Sequence, residues 1–208
     1  MRTMKKLLVV AVFTFIISAV HGQRFEGGLL GGFNASQVKG DLYNGYHKPG
    51  VLLGGYVRTD IAPAVFVAME LKYSQKGSRK KYDPKKPEEN TYIMRLGYID
   101  MPILAGLRTS DKISVIAGGS IGYMIQGTEY DNYGKFVVED QNAFNEFDLQ
   151  AFGGFQFDIL DNLKLDLRMA YSLLPIRGLP GEHATNYYWL NNQFNNVLSL
   201  ALYYRLDH

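Results

Sequence analysis

From Arg24 onward the chain repeats with a period of two, apolar residues alternating with small or polar ones in stretches of nine to sixteen residues. Successive side chains of a strand point to opposite faces, so this pattern describes strands whose two sides meet different surroundings. Eight such stretches occur, at 24–34, 50–58, 65–75, 92–107, 113–126, 144–158, 163–173 and 196–206. In the third, Val65, Val67, Met69, Leu71 and Tyr73 share one parity, while Glu70, Lys72 and Ser74 take the other. The seventh sets Leu163, Leu165, Leu167, Met169 and Tyr171 against Lys164, Asp166 and Arg168. The fourth changes phase: Tyr92, Met94 and Leu96 share a parity, but Ile99, Met101 and Ile103 take the opposite one. A bulge near Gly97 is expected there, because one inserted residue restores the facing.

The connections alternate in length. Long ones (35–49, 76–91, 127–143 and 174–195) are interleaved with short ones (59–64, 108–112 and 159–162). An up-and-down barrel sends alternate connections to opposite ends, and outer-membrane barrels have short periplasmic turns and longer outer loops. The expected fold is therefore all-β: an eight-stranded antiparallel up-and-down transmembrane β-barrel with both termini periplasmic. The expected location is the outer membrane of a Gram-negative bacterium.

The N-terminus fits an exported protein. Arg2, Lys5 and Lys6 precede an apolar run from Leu7 to Val20, too short for a comfortable membrane span, and small residues at Val20 and Gly22 suit cleavage after Gly22. Residues 1–22 are expected to be a cleavable signal peptide and 23–208 the barrel domain. Without Arg2, Lys5 and Lys6 the count is 19 basic against 20 acidic residues, a formal charge of −1. No basic surface is left to suggest nucleic acid. There are no cysteines, so disulfides and thiolate chemistry are excluded. After the signal no segment approaches 18 continuous apolar residues, which leaves a closed barrel as the only means of crossing a bilayer.

A secreted lipocalin-like carrier, the soluble alternative, would line its cavity with apolar residues. Here the polar parity carries a set of balanced charges, expected to form a network inside the barrel: Glu70, Lys72, Arg95, Asp100, Asp148, Asp166, Arg168 and Arg205. Ionisable groups facing a narrow lumen must pair or be hydrated. Eight strands enclose a space just wide enough for side chains, so a plugged interior is expected rather than a diffusion pore. Aromatics near strand ends, including Phe33, Tyr73, Tyr98, Tyr123 and Tyr204, suit interfacial girdles. The second long connection holds Lys76, Arg79, Lys80 and Lys81, and Arg79, Lys80 and Lys81 are candidate contacts to anionic surface lipid. The fourth, with Tyr187, Tyr188, Trp189 and Phe194, offers rings for stacking against a partner or saccharide.

Enzyme chemistry finds no foothold. Of the histidines beyond the signal (His47, His183 and His208), His183 has no adjacent serine to activate, and no cluster has metal-ligand spacing. Gly27, Gly28, Gly31 and Gly32 lie within a strand rather than a strand-to-helix turn, so the dinucleotide fingerprint fails its context. No cofactor and no nucleic-acid partner are expected. The expected partners are outer-membrane lipids and other envelope proteins, with the chain itself a monomer.

Two segments resemble a known family. Glu70-Leu71-Lys72-Tyr73-Ser74-Gln75-Lys76-Gly77 resembles the ELxYSQKG signature, and Tyr98-Ile99-Asp100-Met101-Pro102-Ile103-Leu104 the YxEhPhL segment, of the porin-like outer-membrane β-barrel family that includes PorT. Asp100 stands where that family often has Glu, which keeps the carboxylate. The resemblance covers essentially the mature chain. It implies an outer-membrane barrel and, through PorT, a component of an outer-membrane protein secretion system; the residues themselves point to a structural or interaction role through the outer loops, with a narrow solute channel as an alternative.

Overall fold

The computed structural model describes residues 24–41, 43–81, 83–87, 92–131, 134–135, 143–178 and 192–206. The expected signal peptide at 1–22, His183, His208 and the aromatic group Tyr187, Tyr188 and Trp189 lie outside the described residues.

Eight long strands form the wall: β1 Phe25–Lys39, β2 Lys48–Ala62, β3 Val65–Arg79, β4 Ile93–Arg108, β5 Ile113–Asp131, β6 Phe147–Leu160, β7 Leu163–Ser172 and β8 Asn192–Arg205. Each pairs antiparallel with its chain neighbour, and β1 pairs β8 from Gly28↔Arg205 to Lys39↔Phe194, closing the sheet on itself. Two-residue pieces at Gly134–Lys135 and Arg177–Gly178 add to the ends of β5 and β8. Closure leaves no free edge, so the strands' backbone donors and acceptors are met within the sheet except where β2 and β3 part beyond Leu52↔Ser74.

The facing follows the parity. Phe33 is 68% exposed, Leu53 66% and Leu71 61%, all on the outward side, whereas Glu70, Asp148 and Asp166 are buried inside. This is the reverse of a soluble carrier's facing.

The strands run past the apolar alternation that defined them in the sequence. Strand β1 continues from Ala35 to Lys39, still laddered to β8 opposite Leu198 to Phe194. Polar residues there hydrogen-bond as well as apolar ones once the neighbouring strand is present. The connections at one end are correspondingly shorter than expected, at 40–47, 80–92, 132–146 and 173–191, against tight turns at 63–64, 109–112 and 161–162 at the other.

The register does shift between Gly97 and Tyr98, but the extra residue is Ile125 of β5, between Gln126 and Met124 in the pairing. Strand β4 keeps one facing throughout: Met94, Leu96, Tyr98, Asp100 and Leu104 are all buried. Tyr98 is therefore an interior residue and takes no part in an interfacial girdle. The change of phase in the sequence marks a change in what fills the lumen. Near the long connections an apolar cluster of Val38, Met94, Leu96, Tyr98 and Ile176 occupies it. Two further clusters, Leu30–Leu52–Tyr56–Ala201–Tyr203 and Phe66–Leu104–Ile116–Phe152, pack against the inner wall. In β5 the bulge turns Glu129 inward opposite Met94.

Candidate functional site

Strand β3 supplies Glu70 and Lys72 and β7 supplies Asp166 and Arg168; within each pair the spacing of two puts both side chains on the inner face. The Arg168 guanidinium spans the lumen and donates to both oxygens of Glu70, Nη1 to Oε2 at 3.1 Å and Nη2 to Oε1 at 2.9 Å. Its Nη2 also donates to Asp166 at 2.8 Å. Glu70 further accepts from the Tyr203 hydroxyl at 2.8 Å and from Lys72 Nζ at 3.1 Å, and Gln156 donates to Asp166 at 2.9 Å. Two carboxylates thus face two cations, and the Arg168 plane lies 4.6 Å from the centre of the Phe152 ring. Charges withdrawn from water are costly unless they are paired and hydrogen-bonded in this way.

A second network lies nearer the long connections. Lys76 Nζ sits 3.0 Å from Asp100, 3.4 Å from Asp148 and 3.1 Å from Gln150 Oε1, with the Tyr98 ring centre 4.5 Å away. Asp148 also accepts from Ser172 Oγ at 2.6 Å and Asn195 Nδ2 at 2.9 Å. Gly122 of β5 makes room, since a Cβ there would fall on the Asp100 carboxylate. At the mouth, Arg177 binds Glu129 through Nη1 at 2.6 Å and Nη2 at 2.9 Å, and Tyr92 donates its hydroxyl to the same carboxylate at 2.6 Å. Burial and that carboxylate raise the Tyr92 phenol well above its ordinary value.

Of the expected network, Glu70, Lys72, Asp100, Asp148, Asp166 and Arg168 converge in the lumen. Arg95 does not: it shares the outward parity of Ile99 and Met101, is exposed, and lies over the Tyr130 ring. The phase change in β4 had disguised which parity was polar. Arg205 sits at the short-turn rim, 3.5 Å from Glu26, with both side chains partly exposed. Arg79 ends β3 and is exposed; Lys80 and Lys81 follow it, Lys81 exposed and Lys80 partly so, its N–H bonded to Tyr92 O. Lys76, expected in the loop, lies within β3 and at the centre of the second network. Its signal was present as the continuing parity Glu70, Lys72, Ser74, Lys76, and Tyr203 follows the inward parity of Ala201 in the same way. Glu129 and Arg177 carried no such signal, because a bulge precedes one and the other lies beyond β7.

In the two segments that resemble the porin-like family, the inward residues Glu70, Lys72, Lys76, Tyr98 and Asp100 are the ones that build these networks. Among the described residues no three His, Asp or Glu side chains converge as metal ligands.

A closed eight-stranded barrel with an apolar exterior and a charged, filled interior defines an outer-membrane β-barrel protein. Residues 18–177 match the family model described as outer membrane protein beta-barrel domain, and the chain belongs to that family. Its location is accordingly the outer membrane of a Gram-negative bacterium. No match was found among curated proteins. Among solved structures, Ail, the attachment invasion locus protein of Yersinia pestis, superposes with a TM-score of 0.52 at 15% identity, over 87% of this chain and 98% of that one. Neisserial surface protein A gives 0.52 at 12% identity, over 89% and 99%. At such identities the likeness is one of fold.

Proposed function

We propose that this protein is a closed, non-conducting monomeric barrel that acts through its long connections, displayed outside the cell with both termini periplasmic. The observation that carries this reading is the filled lumen. Between the Arg168–Glu70 and Lys76–Asp148 pairs the interior retains a cavity of about 20 Å³, and beside Tyr203 one of about 10 Å³. These are on the scale of single waters and far below any solute path. The asymmetry between two- to four-residue turns at one end and long connections at the other supports the orientation. The partners in this reading are outer-membrane lipids and other envelope proteins.

Reconstitution into planar bilayers tests it. Electrical silence is expected, and discrete conductance steps from the folded protein would replace it with the narrow-channel reading. The segments Glu70–Gly77 and Tyr98–Leu104 favour a second reading, membership of the PorT group and a place in a secretion system. Loss of exported proteins from the medium on deletion of the gene would support that reading.

A further inference from the structure

Six cationic side chains among the described residues are buried: Lys48, Arg58, Lys72, Lys76, Arg168 and Arg177. Five have a carboxylate within 4 Å, namely Asp60 for Arg58, Glu70 for Lys72, Asp100 and Asp148 for Lys76, Glu70 and Asp166 for Arg168, and Glu129 for Arg177. Lys48 is the exception. It is 8% exposed, and its ammonium donates to the neighbouring Pro49 carbonyl at 2.7 Å.

Its surroundings explain why a cation can stand there. The backbone ladder between β2 and β3 ends at Leu52↔Ser74. One step further, Val51 N–H turns to the Gln75 side chain at 3.4 Å, and Gln75 C=O accepts from Asn34 Nδ2 at 2.9 Å. Beyond that seam β2 remains paired to β1 and β3 to β4. A groove of about 300 Å³ opens there, lined among others by Lys48, Tyr73, Gln75, Arg79, Arg95 and Gln126. Arg95 stands opposite Gly77 and Arg79 opposite Ile93 on adjacent strands, and both guanidinium charges act on Lys48. Among the described residues no carboxylate lines the groove, and neither arginine forms an ion pair with a carboxylate.

Three cations lining one groove with no counter-charge among the described residues repel one another, and an anion entering the groove offsets that repulsion. Arginine pairs are suited to this, since planar guanidinium groups bind phosphate oxygens bidentately. The neighbouring outer wall is apolar, with Val51, Leu53 and Leu71 exposed on the lipid side. An anionic headgroup seated in the groove would therefore have its acyl chains against that wall.

We propose that Lys48, Arg79 and Arg95 form a binding site for the phosphate group of an outer-leaflet glycolipid. The outer-leaflet source rests on the orientation given above; the phosphate chemistry does not. Native mass spectrometry of the detergent-purified protein, titrated with bis-phosphorylated lipid A, lipid A stripped of both phosphates, and phosphatidylglycerol, tests the site. One lipid A per barrel is expected. Retention should fall at least about tenfold for the stripped lipid and for the combined Lys48→Gln, Arg79→Gln, Arg95→Gln variant, since each basic residue near a membrane surface contributes on the order of a few-fold. The charge-preserving Lys48→Arg, Arg79→Lys, Arg95→Lys protein should retain at least part of the binding, and exposed Arg95→Gln alone supplies a variant that leaves the buried Lys48 in place. Equal retention by wild type and both glutamine variants, or of stripped lipid, overturns the site; phosphatidylglycerol held as tightly as lipid A overturns the glycolipid assignment. The Lys85→Cys variant, changed at an exposed position of the second long connection, should react with an impermeant thiol label in intact cells. Labelling only after lysis would overturn the orientation and the outer-leaflet source, leaving the in vitro phosphate result to stand or fall separately.

Discussion

Arg168 and Glu70, 98 residues apart in the chain, meet across the lumen through two parallel hydrogen bonds of 3.1 and 2.9 Å. The pair ties β7 to β3, strands that do not neighbour each other in the sheet. It acts as a crossbeam as well as a plug. Removing one partner strands a buried charge: Arg168→Met is expected to lower folding stability by about 3–5 kcal/mol. The double variant Glu70→Leu, Arg168→Met should lose clearly less than the sum of the two single changes. Urea titration in lipid vesicles, followed by heat-modifiable gel migration, reads all three proteins, and strictly additive losses would contradict the crossbeam.

Leu71 lies midway along β3 on the outward face, between inward Glu70 and Lys72. Leu71→Arg should cost about 2–4 kcal/mol, the depth-dependent penalty for a charge at the bilayer midplane. The same substitution at Ile61, beside the short turn at the end of β2, should cost about 0–1 kcal/mol. Equal effects at the two sites, measured by vesicle folding titrations, would show that the apolar face does not meet lipid.

Adjacent glycines of β1 make a sharper comparison. A Cβ on inward Gly32 would fall against the Leu200 carbonyl oxygen and Ala201, because the curved wall brings β8 close on the concave side. On outward Gly31 the nearest atom would be a Leu53 methyl at 3.5 Å, an ordinary contact. Gly32→Ala should therefore destabilise by about 1–3 kcal/mol, and Gly31→Ala by no more than about 0.5 kcal/mol. Their unfolding midpoints, compared in one detergent, check the pair.

Asp41, in the first long connection, is buried, and burial raises its carboxyl above the ordinary value although one of its oxygens accepts from the Tyr43 N–H at 2.9 Å. A raised folded-state value favours the protonated form. The stability this contributes is full below the unfolded carboxyl value of about 4 and is lost as pH rises through the folded value. Asp41→Asn should be more stable than wild type at pH 7, with the advantage shrinking toward pH 4. Unfolding midpoints at the two pH values measure the difference, and an advantage that does not change with pH would refute the assignment.

Much of the lumen was legible from parity. Glu70, Lys72, Asp148, Asp166 and Arg168 lie on the regular alternation of β3, β6 and β7, and an even strand period fixes facing once one residue's side is known. Lys76 and Arg95 were misplaced for related reasons. A strand's end cannot be located from apolar content once polar residues continue the ladder, and the phase change in β4 looked like a flipped strand when the lumen itself had turned apolar. Only the pairing of β4 with β5 reveals that the extra residue is Ile125, since a bulge belongs to two strands.

The sequence by itself determined that this chain forms eight alternating strands joined by connections of unequal length, because side-chain period and turn spacing are local properties. Without cysteines or a long apolar run, it also determined that closure is the only route across a bilayer. The tertiary structure alone decided which charges meet: Arg168 with Glu70, Lys76 between Asp100 and Asp148, and Lys48 in one groove with Arg79 and Arg95 and no carboxylate among the described residues. Those encounters depend on register, on a bulge and on the height at which a ladder ends, which are relations between strands far apart in the chain.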